Sequence, residues 1–229
     1  MRGLFVTGTD TGAGKTVLAA AICAALRARG AGVAAWKPVV TGTEEPAPGG
    51  WPPDHELLGA AAGVDPERVA PLTFGPAVSP HLAAQLTGRA IEPAALLDDA
   101  RRAGAESGVL VAEGVGGILV PLTPGYLVRD LALDLGLPVL VAARPGLGTI
   151  NHTLLTLEAL RAVGLAVAAV VLTPWPDAPS KLERSNRETI AGLGAVAVET
   201  LPYIPGPEPA ALAQAGAGLP LDDWLKPDG

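Results

Sequence analysis

A single cysteine, Cys23, rules out an internal disulfide, and aromatic residues make up only 3% of the 229 positions. Cys23 sits among Ala and Ile in a helical pattern, which suits a small buried hydrophobe better than a reactive thiol. With 49% hydrophobic residues and so few rings, the core has to be built from Ala, Val and Leu. Basic groups are also scarce: 16 Lys and Arg against 23 Asp and Glu give a net charge of −7. No basic stripe is present, which argues against a nucleic-acid partner. No apolar run approaches membrane-spanning length without a Gly, Pro or charge, so no membrane partner is expected. Met1-Arg2 leads straight into an apolar segment with no signal-peptide pattern, and a cytoplasmic location is expected. The histidines His55, His81 and His152 fall in no zinc spacing. There is no Gly-x-Ser-x-Gly elbow and no plausible cysteine nucleophile.

Glycine and proline are plentiful, 29 and 23, and they punctuate apolar segments as turns do. Between them the pattern alternates. Strands are expected over Leu4–Thr7, Val33–Lys37, Val109–Ala112, Pro138–Ala142, Val167–Leu172 and Val196–Leu201. Helices are expected over Val17–Arg29, Asp54–Ala62, Pro93–Ala105, Leu127–Leu135, Ile150–Val163 and Lys181–Leu193. On Val17–Arg29 the residues Leu18, Ile22, Ala25 and Leu26 share a face, and on Ile150–Val163 so do Ile150, Leu154, Leu157 and Leu160. Glu44–Pro53 reads as loop, and the tail to Gly229 is weakly patterned. With no repeat or linker, residues 1–229 read as one α/β domain. Its mostly parallel sheet is doubly wound, with helices on both faces. Ligands of such sheets bind at the carboxyl edge of the strands.

One segment carries a strong chemical signal. Gly8-Thr9-Asp10-Thr11-Gly12-Ala13-Gly14-Lys15-Thr16 lies between a strand and a helix. A strict P-loop has four residues between its glycines, whereas Gly8 and Gly14 are separated by five. The physics is unaffected. Gly12 and Gly14 let the backbone turn its N–H groups toward a phosphate, and the helix start adds partial positive charge. Lys15 is placed to reach the outer phosphates and the Thr16 hydroxyl to reach Mg²⁺.

Three further residues stand out, and two of them, Lys37 and Glu113, fall at the same edge. Lys37 ends the second strand, where a fixed ammonium would neutralise charge on a transferred phosphoryl group. Its position alone leaves that role and a solvated strand-end lysine equally open. Glu113 closes a buried strand before the turn Gly114-Val115-Gly116-Gly117, and metal binding is favoured over a carboxylate bonded to its own turn. Asp54 precedes a short helix, where an N-cap and a metal ligand are equally open.

At these residues the chain resembles the dethiobiotin synthetase family. The similarity runs through Val6-Thr7-Gly8-Thr9-Asp10-Thr11 with Gly14-Lys15-Thr16, extra residue included, and Lys37-Pro38-Val39 with Thr41-Gly42. It continues through Ser79-Pro80-His81, Gly88-Arg89, Ile91-Glu92, Glu113-Gly114-Val115-Gly116-Gly117 and Leu147-Gly148-Thr149-Ile150-Asn151-His152. The first motif is shared across P-loop NTPases; the ordered set is specific. The resemblance implies that 7,8-diaminononanoate, CO₂ and a nucleoside triphosphate, ATP, give dethiobiotin through a carbamate and its mixed phosphoric anhydride. It places the nucleotide on Gly8, Thr9, Asp10, Gly12, Ala13, Gly14, Lys15, Thr16 and Val17, with Glu113, Thr173 and Pro174. Lys15, Lys37 and Thr11 would act in catalysis, and Thr16, Asp54 and Glu113 would hold Mg²⁺. Thr11, Lys37, Thr41, Gly116, Gly117 and Asn151 would contact the substrate, Asn151 holding its carboxylate across a homodimer interface.

Two departures stand out. Gly12 occupies a position where some members carry Glu, so no carboxylate acts there. Thr173-Pro174-Trp175-Pro176 occupies a region where some members read adenine with Asn. The prolines offer no N–H and Trp175 can stack on any base, so loose base selection is expected; the alternative is that Trp175 is a packing residue and backbone groups between Pro202 and Pro207 read the base. A partition-type switch ATPase would carry a signature lysine at the position of Asp10, which argues against that class. An amidoligase of cobalamin biosynthesis would need a glutamine-hydrolysing domain, for which there is neither length nor a suitable Cys–His pair.

Overall fold

Strand β1 (Gly3–Gly8) is buried at all six positions, and its side chains alternate between two cores. Leu4 and Val6 face one side and Phe5 the other. A strand apolar on both faces belongs in the middle of a sheet covered twice. The structure, a computed structural model, describes residues 1–45 and 50–226. Of the loop expected over Glu44–Pro53, residues 46–49 lie outside that range, as do the last three residues of the tail.

After β1 come α1 (Lys15–Ala28), β2 (Val33–Trp36) and β3 (Val40–Thr41). Then follow α2 (Asp54–Ala62), α3 (Pro66–Val69), β4 (Thr73–Phe74), α4 (Pro80–Thr87) and α5 (Pro93–Ser107). The chain continues through β5 (Val109–Glu113), the hairpin β6 (Pro121–Thr123) and β7 (Tyr126–Leu127), and α6 (Val128–Leu135). It ends with β8 (Val139–Ala143), α7 (Thr149–Arg161), β9 (Val167–Trp175), α8 (Lys181–Gly194), β10 (Val198–Pro202), α9 (Pro209–Gly216) and α10 (Leu221–Trp224).

Six strands form one parallel sheet in the order β10-β9-β8-β1-β5-β2. The expected doubly wound α/β architecture is therefore present, and β1 sits where the winding reverses. Helices α1, α2 and α9 cover one face with α10, and α5 to α8 cover the other. The expected apolar face of α1 is buried, but so is every residue from Leu18 to Leu26. A helix apolar all round belongs in the interior, and α1 lies between the sheet, α2 and α9.

Several elements escaped the sequence pattern. Helix α9 is one: its small side chains carry little amphipathic signal. It is held by close approach, since a Cβ on Gly216 would come within 2.2 Å of the Ala21 carbonyl oxygen on α1. The ribbon β3–β4, the hairpin β6–β7 and the short helices α3, α4 and α10 are likewise defined by what they pack against. Strand β2 ends at Trp36, one residue before the expected end. The Lys37 N–H turns away to the Val69 carbonyl at 2.8 Å. Strand β9 runs on to Trp175, and β10 starts two residues later than expected, at Val198. The single cysteine is fully buried as expected, and burial pushes its thiol above the usual range.

Candidate active site

The register of the sheet assembles the site. Trp36 on β2 pairs with Ala112 on β5, and Val6 on β1 pairs with Glu113. The next residues in line, Lys37 and Glu113, therefore meet at the carboxyl edge. The Lys37 Nζ donates to Glu113 Oε1 at 2.6 Å and to Asp54 Oδ2 at 2.6 Å. Both Lys37 and Glu113 are buried, with side chains 4% and 0% exposed, while the Asp54 side chain remains 44% exposed. The Thr16 hydroxyl, in the first turn of α1, donates to the same Glu113 Oε1 at 2.9 Å. Thr16, Lys37, Asp54 and Glu113 are thus one connected group. The other oxygen, Glu113 Oε2, is buried and has no hydrogen-bond partner among the described residues.

Asp54 resolves one open alternative. Pro53 is the N-cap of α2, and Asp54 is its first helical residue, with no capping bond from its side chain. The carboxylate turns to Lys37 instead, so it is not an N-cap. Lys37 is likewise no solvated strand end.

The loop Gly8–Gly14 has the conformation a phosphate cradle needs. Gly12 and Gly14 sit at φ of 72° and 92°, in the left-handed region that side chains disfavour. Thr9 N–H bonds the Ala142 carbonyl on β8 at 3.0 Å, and Thr11 N–H bonds the Asp10 carboxylate at 2.7 Å. Ala13 and Lys15 are buried, and the Lys15 ammonium donates to the Asp10 carbonyl at 3.0 Å. Val17 is half-buried and packs against the core beneath the loop. Gly116 and Gly117 close the other side. A Cβ on Gly116 would lie 3.7 Å from Thr11 Oγ1, and one on Gly117 3.7 Å from the Gly8 carbonyl oxygen. Thr173 on β9 meets the loop from the flank, its methyl 2.5 Å from where a Gly14 Cβ would stand.

Charge in this group is unevenly balanced. Burial pushes the Lys15 ammonium down to about 8; the Glu113 carboxylate opposes this and Lys37 adds to it. For Lys37 burial also acts downward, but the Glu113 and Asp54 carboxylates outweigh it and hold the ammonium above its ordinary value. Burial pushes the Glu113 carboxyl up, with the Lys37 charge opposing. At Asp54 burial acts upward as well, and Lys37 overcomes it, so the carboxyl stays below its usual range.

Thr41, on β3, and Asn151, exposed in the first turn of α7, make no side-chain hydrogen bond to this group among the described residues. Pro174 follows Thr173 at the exposed end of β9. Trp175 takes the second of its two open readings, that of a packing residue. Its ring packs into the core on the α8 side of the sheet, near Ala191 and Val198, while α1 and the loop lie on the other face. It is a packing residue rather than a platform for a base.

Two residues were missed. Arg144, directly after β8, donates from Nε to the Gly12 carbonyl at 3.0 Å. A charged residue that ends a buried strand beside the loop was the available signal, the same one that marked Glu113. Asn186, buried on α8, donates through Nδ2 to the Pro145 and Gly146 carbonyls at 2.9 and 3.1 Å. Nothing in the local pattern of a polar-faced helix distinguishes it. Among the described residues no three His, Cys, Asp or Glu side chains gather as a metal cluster, and no helix is long and apolar enough to cross a membrane.

Known proteins are similar to this chain in sequence and in fold. The family model described as AAA domain matches residues 2–209. The ATP-dependent dethiobiotin synthetase BioD of Anaeromyxobacter dehalogenans strain 2CP-1 is 51% identical over 79% of this chain and 81% of its own. That of Agrobacterium fabrum strain C58 is 42% identical over 96% of both chains. A ParA-family ATPase from Chlorobium tepidum shares the fold at a TM-score of 0.58 and 12% identity, over 94% of this chain and 97% of that one. With that degree of identity to curated relatives over most of its length, and with the glycine loop, Lys37 and Glu113 gathered at one sheet edge, the chain belongs to the ATP-dependent dethiobiotin synthetase family of P-loop proteins.

Proposed function

We propose that this chain closes the cyclic urea of dethiobiotin from 7,8-diaminononanoate and CO₂ at the expense of ATP. The carrying observation is the connected group Thr16–Glu113–Lys37–Asp54 beside the Lys15 loop, which supplies charge to steady a phosphoryl transfer. One substrate amine attacks CO₂ and sheds a proton, giving a carbamate. A carbamate oxygen attacks the γ-phosphorus as the β,γ-bridging P–O bond breaks, its electron pair leaving on ADP. The second amine then attacks the carbonyl carbon, losing a proton as phosphate departs and the ring closes. Such chemistry asks the protein for position and preorganised charge.

In this reading the backbone from Gly8 to Val17 holds the phosphates, with Thr173 and Pro174 at the flank. Lys15 and Lys37 steady the charge that moves through the phosphoryl group. Thr11, Thr41, Gly116 and Gly117 line the substrate side. The oxygen donors fit Mg²⁺: an unpartnered Glu113 Oε2, the Thr16 hydroxyl and an Asp54 carboxylate open to water. Bound there, Mg²⁺ would neutralise charge on the β- and γ-phosphates. The Lys37 bridge keeps the two carboxylates compensated when the ligand is away. Residues 1–229 act as one cytoplasmic domain in a homodimer, with Asn151 offered to the substrate carboxylate from the partner. Asn151 and His152 are exposed there, and Leu147 and Leu155 nearby are 91% and 57% exposed.

Phosphate release from ATP, measured with and without 7,8-diaminononanoate and bicarbonate, tests the function. Release that depends on the diamine, with dethiobiotin seen by mass, is expected. Release indifferent to the diamine would overturn it.

A further inference from the structure

Arg144 is a cation beside the loop that has no carboxylate partner among the described residues. It follows β8, which pairs with β1 in the register Gly8↔Ala142, so it leaves the sheet beside the loop. Its Nε holds the Gly12 carbonyl at 3.0 Å, and its Nη2 lies 2.7 Å from where a Cβ on residue 12 would stand. The guanidinium thus lies directly against the loop at Gly12, whose left-handed backbone, φ 72°, already favours glycine there. No carboxylate pairs with Arg144 among the described residues, whereas Lys37 has two. The backbone just beyond it is braced from the interior by Asn186, 5% exposed, which bonds the carbonyls of Pro145 and Gly146. The Arg144 side chain is itself exposed, so its guanidinium is open to a ligand at the loop, while the buried Asn186 amide fixes the backbone it springs from.

We propose that Arg144 is a third catalytic cation of this site, donating from its Nη groups to the terminal phosphoryl group of the bound triphosphate as that group is transferred. The inference rests on the phosphoryl-transfer reading above. In the step it serves, the acceptor oxygen–phosphorus bond forms and the β,γ-bridging P–O bond breaks with its electrons on the diphosphate. Arg144 stays protonated throughout and contributes only hydrogen bonds and charge. A guanidinium suits this, being planar, permanently charged and able to span two oxygens at once.

The test compares wild type with Arg144→Gln and Arg144→Lys in the full chain, each checked for an unchanged melting transition. Turnover is measured with diamine, and affinity is measured by calorimetry for ADP and for a non-hydrolysable ATP analogue. Arg144→Gln is expected to lower kcat by about 100-fold. It should weaken the analogue but leave ADP within about twofold, since only the γ-phosphate contact is lost. Arg144→Lys should recover part of kcat. A kcat within about threefold of wild type, or equal weakening of ADP and analogue, overturns the assignment. If the wild type releases no diamine-dependent phosphate, the functional reading fails. The contrast between ADP and the analogue then still decides whether Arg144 touches the terminal phosphate.

Discussion

The ammonium of Lys37 sits 2.6 Å from the Glu113 carboxylate in a space closed to solvent, because β2 and β5 are neighbours in a register that sets these two residues side by side. Asp54 completes the bridge from α2 at 2.6 Å. Much of what can be tested at this site depends on that pairing.

Removing Lys37 leaves a fully buried carboxylate without its counter-charge. Lys37→Gln should lose about 3–5 kcal/mol of unfolding free energy, since breaking one partner of a buried pair strands the other. The double variant Lys37→Gln/Glu113→Gln should regain most of it. Urea denaturation of the three proteins reads this directly. A loss below about 1 kcal/mol in the single variant would mean that Glu113 finds another partner or a proton at little cost.

Lys15 gives a pH dependence. Burial holds its ammonium near 8 in the ligand-free site. Below that pH it is already charged and ready for phosphate. Above it the amine is neutral and must take up a proton to bind an anion. ADP affinity should therefore fall as pH rises past about 8, by up to about tenfold per unit, with proton uptake on binding. Calorimetry in buffers of different ionisation heat measures both. Lys15→Met should bind weakly, without that proton uptake, and should have lost turnover while remaining folded. Turnover near the wild-type rate in Lys15→Met would remove the loop from the mechanism.

Glu113→Gln and Asp54→Asn should each raise the Mg²⁺ concentration that half-saturates turnover, by about 10- to 100-fold. Titration of turnover with Mg²⁺ at saturating ATP distinguishes this from a simple loss of kcat. If the half-saturating concentration stays put in both variants, these carboxylates serve Lys37 alone.

Asn186 is a positioning residue by its bonds to Pro145 and Gly146. Asn186→Ala should lower kcat by about tenfold through Arg144, with ADP affinity kept. In an Arg144→Gln background the same change should add little, because residues acting as one unit are not additive. Full additivity would assign Asn186 a purely structural role.

Base selectivity is expected to be loose, with kcat/KM for ATP and CTP within about a thousandfold. The structure removes Trp175 as a stacking platform and leaves Thr173 beside Gly14 as the side chain from this segment at the loop. A larger preference for one base would reveal a dedicated set of donors and acceptors elsewhere.

The sequence by itself determined the elements that local chemistry controls. Apolar runs cut by Gly and Pro marked all six sheet strands, and the glycine spacing around Lys15 marked the phosphate loop, because each depends on residues a few positions apart. The three polar residues at strand or helix ends, Lys37, Asp54 and Glu113, were visible as singular, but their partners were not. Lys37 and Glu113 meet only because β5 is inserted between β1 and β2, an order set by how the crossover helices pack. The same holds for Arg144 against Gly12 and for Asn186 beneath the loop after β8. Helix α9 is the extreme case: its Ala and Gly residues say little alone and fit because α1 offers them a bare backbone at Ala21. Contacts between residues distant in the chain carry no local period, so only the tertiary structure could decide them.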